Sequence, residues 1–273
     1  MYELELFAGA GGGILAQQIL GHHTVGAVEI EPYCRTVLLQ RQRDLCLPVF
    51  PVWDDITTFR SDNPDCAGYI HWLCSIRDEL CISGGFPCQD ISSCGKGAGI
   101  AGKKSGLWHE MARVVAEIRP AFVFAENSPM LAGRGLGVVL GTLAALGYDA
   151  KWCVLGADDL GYPIIRKRIW ILGMRHGVHG QRPDARSQQS GSAAEHLWCP
   201  DPLPALQDAQ GARLVSDGLA VRDADGLAGA LEPVRAIGNG QVPAVAALAW
   251  RLLTGSLIPA DAAAEDIHIQ AAA

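Results

Sequence analysis

The chain has 273 residues and a formal charge of −7, and no apolar run approaches the roughly 20 residues that a membrane-spanning helix needs. That length suits one main core with a smaller second lobe, excludes three independent cores, and points to a soluble protein. The negative balance excludes a chain that coats nucleic acid along a broad basic face and leaves room for a local basic cleft, with Lys96, Lys103, Lys104, Arg166, Lys167 and Arg168 as its cations.

Met1 to Glu5 leads straight into apolar residues without a basic n-region, a long h-region or a small-residue cleavage site, which predicts a cytoplasmic protein. Leu4 to Ala8 reads as a first strand, Gly9 to Gly13 as a tight turn and Ile14 to Leu20 as a helix. Val25 to Ile30 reads as the second strand, followed by a helix from Pro32 to about Arg43. Further strands are predicted at Leu80 to Ser83, Ala121 to Ala125, Trp152 to Leu155 and Ile169 to Leu172. Helices fit Trp108 to Ile118 and Leu136 to Leu146, the latter ended by Gly147. This alternation predicts an α/β domain over 1–175.

Composition shifts to Gly, Pro, Ser, Gln, Asp and Ala from His176 to Glu232, as expected of a short variable region forming an irregular small lobe. Residues 233–260 return to the main domain with a closing helix at Val242 to Leu253, and 261–273 is expected to be a frayed tail. Nine cysteines without a C-x-x-C pair argue against a zinc ribbon or a redox pair, and the eight histidines suggest no ligand set, so no metal is expected.

The strand, glycine turn and helix at the N-terminus form a nucleotide-site pattern, with Glu29 and Glu31 at the end of the next strand. Glycine permits close approach of a ligand to the backbone, and a carboxylate one strand later can accept from both ribose hydroxyls. At this level a dinucleotide site, an S-adenosylmethionine site and a turn without function look alike. Cys88, in Gly84-Gly85-Phe86-Pro87-Cys88-Gln89, follows an apolar strand, where exposed N–H groups can favour a thiolate. Glu126-Asn127 ends another apolar strand, which predicts a carboxyl group on the same sheet edge. Cys34, Cys46, Cys66, Cys74, Cys81 and Cys153 read as ordinary small buried residues.

Five blocks stand in one order: Phe7-Ala8-Gly9-Ala10-Gly11-Gly12, Gly85-Phe86-Pro87-Cys88-Gln89, Glu126-Asn127, Arg166-Lys167-Arg168 and Gly238-Asn239-Gly240-Gln241-Val242-Pro243. Together they resemble the cytosine-5 DNA methyltransferases of bacteria and their phages, over residues 3 to about 173 and 233–253. The resemblance implies a Rossmann-like S-adenosylmethionine-dependent methyltransferase fold with a small target-recognition lobe. It implies a methyl transfer to C5 of cytosine in double-stranded DNA, with S-adenosylhomocysteine as the other product. Cys88 would attack C6, Glu126 would act at N3 with Asn127 holding it, and Arg168 with Arg166 would bond O2.

For the cofactor, the resemblance implies contacts from Phe7, Ala8, Gly9, Ala10, Gly11 and Gly12, from Glu29 at the ribose and Ile30 on the adenine, and from Asp55 or neighbouring Asp54 at the adenine amino group. Ile56, Pro87, Leu107 and Asn239 complete that set. Gln89 to Ser105 resembles a mobile catalytic loop in which Gln89, Ser92, Lys96, Lys103 and Lys104 meet DNA while the target base is flipped out. The chain departs from the pattern at Ile164 after Pro163, at Ser128 after Asn127, and in the shortness of 176–232. A monomer is expected; a restriction endonuclease or a separate recognition partner stays open. Two alternatives remain at this point: a tRNA cytosine-5 methyltransferase, although its Cys-Phe-Thr element is missing, and an inactive DNA-binding homologue.

Overall fold

Strand alternation decides which side chains meet above and below the sheet. Along β1 (Tyr2–Leu6), Leu4 and Leu6 enter one core while Glu3 and Glu5 point to the opposite face, and all four are buried. The same division recurs in β5 (Phe122–Asn127), where Val123 and Ala125 face one side and Phe122 and Phe124 the other. It recurs again in β7 (Arg168–Arg175), with Ile169 and Ile171 against Trp170 and Leu172. Strands apolar on both faces must be covered by helices on both faces, which makes a three-layer α/β/α molecule.

A computed structural model describes residues 1–87, 107–178, 240–256 and 270–272. One helical layer holds α3 (Pro64–Ser75), α4 (Leu107–Ile118), the short α5 (Leu131–Arg134) and α6 (Leu136–Ala145), whose Ile70, Leu73, Val115, Ile118, Val139 and Leu143 pack on the first core. The opposite layer pairs α1 (Gly12–Ile19) with α7 (Pro243–Thr254), packing Ala16, Val245, Ala249, Trp250 and Leu253 against Phe122, Phe124 and Trp170. Trp250 meets Phe124 edge-on at 5.3 Å between ring centroids. A smaller core joins Ile14 and Ala27 to Leu38 of α2 (Pro32–Arg43) and to Phe50.

With β2 (His23–Val28), β3 (Val52–Trp53), β4 (Leu80–Gly85), β6 (Tyr148–Leu155) and β8 (Gln270–Ala272), the described strands run in the order β3-β2-β1-β4-β5-β7-β6-β8. The first five are mutually parallel, whereas β7 lies antiparallel between β5 and β6. The order reverses at β1, between β2 and β4, and such a switch point opens a crevice beyond the carboxyl ends of the strands.

The strands and helices expected from the sequence are present with ends shifted by a few residues, β1 and β2 each starting two residues earlier. Four of the named elements were not expected, the short α5 among them. α3 carries an Asn63 cap, whose side chain accepts from Asp65 N, and Pro64 in its first turn. β3 has two residues. In the stretch expected to be a frayed tail, 270–272 pairs antiparallel with β6 instead, taking up part of that strand's open edge.

Candidate active site

The carboxyl ends of β1, β2, β4 and β5 and the amino end of β7 share one edge, because an antiparallel strand begins where its parallel neighbours finish. Register carries this to single residues: Leu6 lies beside Gly84, Gly84 beside Ala125, Gly85 beside Glu126, and Asn127 beside Ile169. Along this edge runs a cleft of about 400 Å³.

One half of the cleft is the turn after β1. Phe7 has φ 56°, a left-handed conformation that a non-glycine residue adopts at a cost, and Gly9 and Gly11 follow with φ 54° and 97°. The turn is tied by Ala8 N to Val28 O at 3.1 Å and Gly11 N to Ala8 O at 3.0 Å. Gly9 N donates to Glu29 Oε2 at 2.6 Å and Glu31 N to Glu29 Oε1 at 2.8 Å, so the buried carboxylate stands between two backbone segments. Burial raises the Glu29 carboxyl above its ordinary value, against the lowering effect of the Glu31 and Gly9 N–H groups. Beside it Ile30 is 63% exposed, an apolar side chain at the cleft without a cover. Asp54 and Asp55 both reach the wall, and Asp55 Oδ1 accepts from Thr57 N and Oγ1, each at 2.8 Å.

The other half holds charge. Arg168 Nε lies 2.7 Å from Glu126 Oε1, with Glu126 buried in the edge of the sheet. Burial raises the Glu126 carboxyl, while Arg168 and then Arg166 pull it down; the net direction is upward. A Cβ on Gly85 would stand 2.6 Å from Glu126 Oε2, so a side chain there would have to displace the Glu126 carboxyl group. Asn127 is fixed at both ends: its Nδ2 donates to Phe86 O at 2.9 Å and its Oδ1 accepts from Ser128 N at 2.8 Å. This bond ties the end of β5 to the Phe86-Pro87 turn leaving β4.

Of the residues selected from sequence, Phe7, Ala8, Gly9, Glu29, Ile30, Asp55, Ile56, Pro87, Leu107, Glu126, Asn127 and Arg168 share this cleft. Ala10, Gly11 and Gly12 stand beside its wall rather than on it: Gly11 and Gly12 turn the chain into α1, next to Leu38 and Gln241. Arg166 is also off the wall, since its Nη2 donates to Gly240 O at 2.6 Å and braces the segment entering α7. Cys88, Gln89, Ser92, Lys96, Lys103, Lys104 and Asn239 lie outside the described residues.

A family model for C-5 cytosine-specific DNA methylase matches residues 1–211. The chain belongs to that family. In keeping with that family it has the Rossmann-like methyltransferase architecture, here with β7 inserted antiparallel between β5 and β6. It is 32% identical over 179 residues to the Type II methyltransferase M.Sau96I of Staphylococcus aureus, covering 64% of this chain and 39% of that protein. It is 33% identical over 175 residues to M.CviJI of Paramecium bursaria Chlorella virus IL3A, covering 63% and 42%. With M.HhaI of Haemophilus parahaemolyticus it shares 32% over 182 residues, covering 65% and 50%. The match thus spans half or less of each of these relatives.

Several residues lining this cleft were not selected from sequence, Gln241 and Glu5 among them. Gln241 lines it from the segment before α7, inside the Gly238 to Pro243 block that was recognised only for Asn239. Glu5 reaches it from within β1, where the alternation Glu3-Leu4-Glu5-Leu6 suggests a half-exposed strand. Among the described residues no helix is long and apolar enough to cross a membrane, and no group of three or more His, Cys, Asp or Glu side chains is arranged to hold a metal ion.

Proposed function

We propose that this protein transfers a methyl group from S-adenosylmethionine to C5 of cytosine in DNA through a covalent adduct between Cys88 and C6. The observation that carries the reading is that the Glu29-Gly9 turn and the Glu126-Arg168 pair open into the same cleft. A hydroxyl-binding carboxylate and an amidine-binding ion pair within one space call for a nucleoside-bearing donor and a polar base.

The cleft residues fit the cofactor. Its volume falls within the roughly 300 to 1,000 Å³ of small-molecule sites, Glu29 offers carboxylate oxygens to ribose hydroxyls, exposed Ile30 offers an apolar surface to adenine, and Asp55 or Asp54 offers an acceptor to its amino group. When bound, S-adenosylmethionine supplies an electrophilic methyl group on a sulfonium and needs no metal to activate it.

The base requires more of the protein. Cytosine C5 is not a carbon nucleophile until something adds across C5-C6, so the Cys88 thiolate forms the Cys88-C6 bond and the ring electrons move towards C5 and N3. Glu126, whose burial favours the protonated form, holds a proton at N3, and Arg168 stands where cytosine O2 gains charge. Asn127 keeps Glu126 and the Phe86-Pro87 turn in one frame. C5 forms a bond to the methyl group with S-adenosylhomocysteine as the leaving group, and loss of the C5 proton to a base then expels Cys88 and restores the aromatic ring. None of this is reachable in stacked DNA, so the base is flipped into the cleft, with Gln89, Ser92, Lys96, Lys103 and Lys104 on the strand around it.

On this reading 1–175 together with 233–260 performs the chemistry, and 176–232 with Arg182, Arg186 and Arg213 chooses the site, alone or with a recognition partner. The working compartment is that of the DNA, the cytoplasm of a bacterial cell. The test uses labelled S-adenosylmethionine with duplex DNA or tRNA, and with DNA carrying 5-fluorocytosine, whose fluorine cannot leave as the C5 proton does. Methylated DNA and a covalent adduct formed by the wild type but not by Cys88→Ser are expected. Label on tRNA alone would overturn the choice of DNA, and no adduct from an active enzyme would overturn C6 addition.

A further inference from the structure

The sheet face beneath α1 and α7 carries a buried polar cluster that the chemistry above does not use. Glu3, Glu5, Gln17, His22, Thr24 and Ser83 are all buried. Thr24 Oγ1 donates to Gln17 Oε1 at 2.6 Å, which orients the Gln17 amide so that its Nε2 donates to Glu5 Oε2 at 2.6 Å and to Ser83 Oγ at 3.2 Å. His22 Nδ1 meets Glu3 Oε1, and because a carboxylate can only accept, Nδ1 carries the hydrogen.

The Ser83 hydroxyl lies 2.9 Å from Glu3 Oε2 and 2.5 Å from Glu5 Oε2. A hydroxyl has one hydrogen and can donate to one carboxylate only. The second contact is a hydrogen bond only if that carboxyl group brings its own proton; without it, two buried anions share one serine. Glu3 already has the His22 N–H on its other oxygen. Among the described residues no cation pairs with Glu5: facing it are Glu3 on its own strand, Ser83 and the Cys81 thiol on β4, Glu126 with its Arg168 partner beyond, Gln17 and Gly13 on α1, and Gln241. The extra proton therefore belongs on Glu5, giving a chain from Glu5 to Ser83 to Glu3.

This carboxyl group also forms part of the cleft floor. Glu5 lines both the cleft and a water-sized void of about 10 Å³ beneath it, shared with Gly13, Ser83 and Gln241. Gly13 packs so closely on the carboxyl group that a Cβ there would overlap it.

We propose that Glu5 is a positioning residue that stays protonated at neutral pH, donating to Ser83, and that this proton holds the first turn of α1 and the end of β4 together under the cofactor cleft. The effect on binding rests on the proposed function; the proton does not. Burial pushes the Glu5 carboxyl up to about 8, opposed by the Ser83 bond and assisted by Glu3. Ionisation would set a second anion beside Glu3 and Glu126 and press α1 away from the turn that begins at Phe7.

The test compares urea unfolding of the wild type and Glu5→Gln from about pH 5 to about pH 9. Glu5 in the unfolded chain ionises near 4.5, while the folded protein keeps the proton to about 8. Wild-type stability should therefore fall relative to the variant across that window, by up to about tenfold in the ratio of unfolding constants per pH unit, and the gap should stop widening above it. A gap that stays flat overturns the proposal.

Infrared spectra of the wild type give a readout that needs no folded Glu5 variant. A protonated-carboxyl stretch should be present at neutral pH, persist in Glu126→Gln and disappear on ionisation, and its absence at neutral pH overturns the proposal. S-adenosylmethionine should bind the wild type several-fold more weakly above the transition than below it, and Glu5→Gln equally at both. Equal wild-type affinity on both sides overturns the positioning role. No binding by either protein below the transition would count against the proposed function, leaving the unfolding and infrared results to decide the proton.

Discussion

Arg168 Nε stands 2.7 Å from Glu126 Oε1, and this pair sets the charge of the cleft wall opposite the Glu29 turn. Burial drives the Glu126 carboxyl upward and Arg168 is the first of two arginines that restrain it. Their balance gives a group that can hold or share a proton without being locked in either state.

Arg168→Gln should move that balance. With the guanidinium gone, the Glu126 carboxyl rises further, so the loss of activity on its deprotonation should shift to higher pH. Turnover below that limb should fall by at least about tenfold, because charge developing on the base loses its donor. Stability follows the same sign: a carboxyl raised in the folded state contributes fully below its unfolded value of 4.5, and the variant should go on losing stability to a higher pH than the wild type. A pH-rate profile with an unmoved alkaline limb would separate Arg168 from Glu126.

Glu29→Ala should weaken S-adenosylmethionine binding by tenfold or more, since charge-assisted hydrogen bonds contribute about 1.5 to 3 kcal/mol. Glu29→Gln should lose nearly as much, because one amide nitrogen would then face the Gly9 or Glu31 N–H that the carboxylate now accepts. Calorimetric titration reads both. An unchanged dissociation constant would move the ribose partner elsewhere.

Asn127→Ala should leave the buried Phe86 carbonyl and the Ser128 N–H without their present partner, costing about 1 to 3 kcal/mol in urea denaturation. Single-turnover rates should fall while cofactor affinity stays near the wild-type value, since Asn127 ties β5 to the Phe86-Pro87 turn. Parallel losses in rate and affinity would indicate general unfolding instead.

Two glycines should respond oppositely to alanine. A Cβ on Gly12 overlaps the Gln241 backbone, so Gly12→Ala should part α1 from the segment entering α7, destabilise the protein by about 1 to 3 kcal/mol and weaken the cofactor. Exposed Gly141, inside α6 with open space around it, should gain about 0.5 to 1 kcal/mol as alanine. Thermal melts of the two variants check the contrast, and a Gly12→Ala protein that melts like the wild type would show that the segment can retreat freely.

The sequence already contained the glycine turn, Glu29, Glu126-Asn127 and the arginine block, because each is announced locally by an apolar run ending in a residue type with a definite chemical use. The Asn63-Pro64 start of α3 was equally local, but a reading led by apolar runs passes over it. β3 was not legible: two residues carry no period, and Val52-Trp53 is a strand only because β2 supplies its hydrogen bonds.

The tertiary structure decided what adjacency alone could. Gln241 lies far along the chain from Gly13 and Gly85, and becomes their neighbour because α7 packs on α1 and Arg166 braces Gly240. Glu3 and Glu5 alternate with leucines as the residues of a half-wet strand do, and nothing in that pattern distinguishes water from a protein interior. Only the closure of α1 and α7 over that face buries them. Once buried, their charge must be neutralised locally, so the proton count between Glu3, Ser83 and Glu5 is a property of the packed molecule that no run of residues displays.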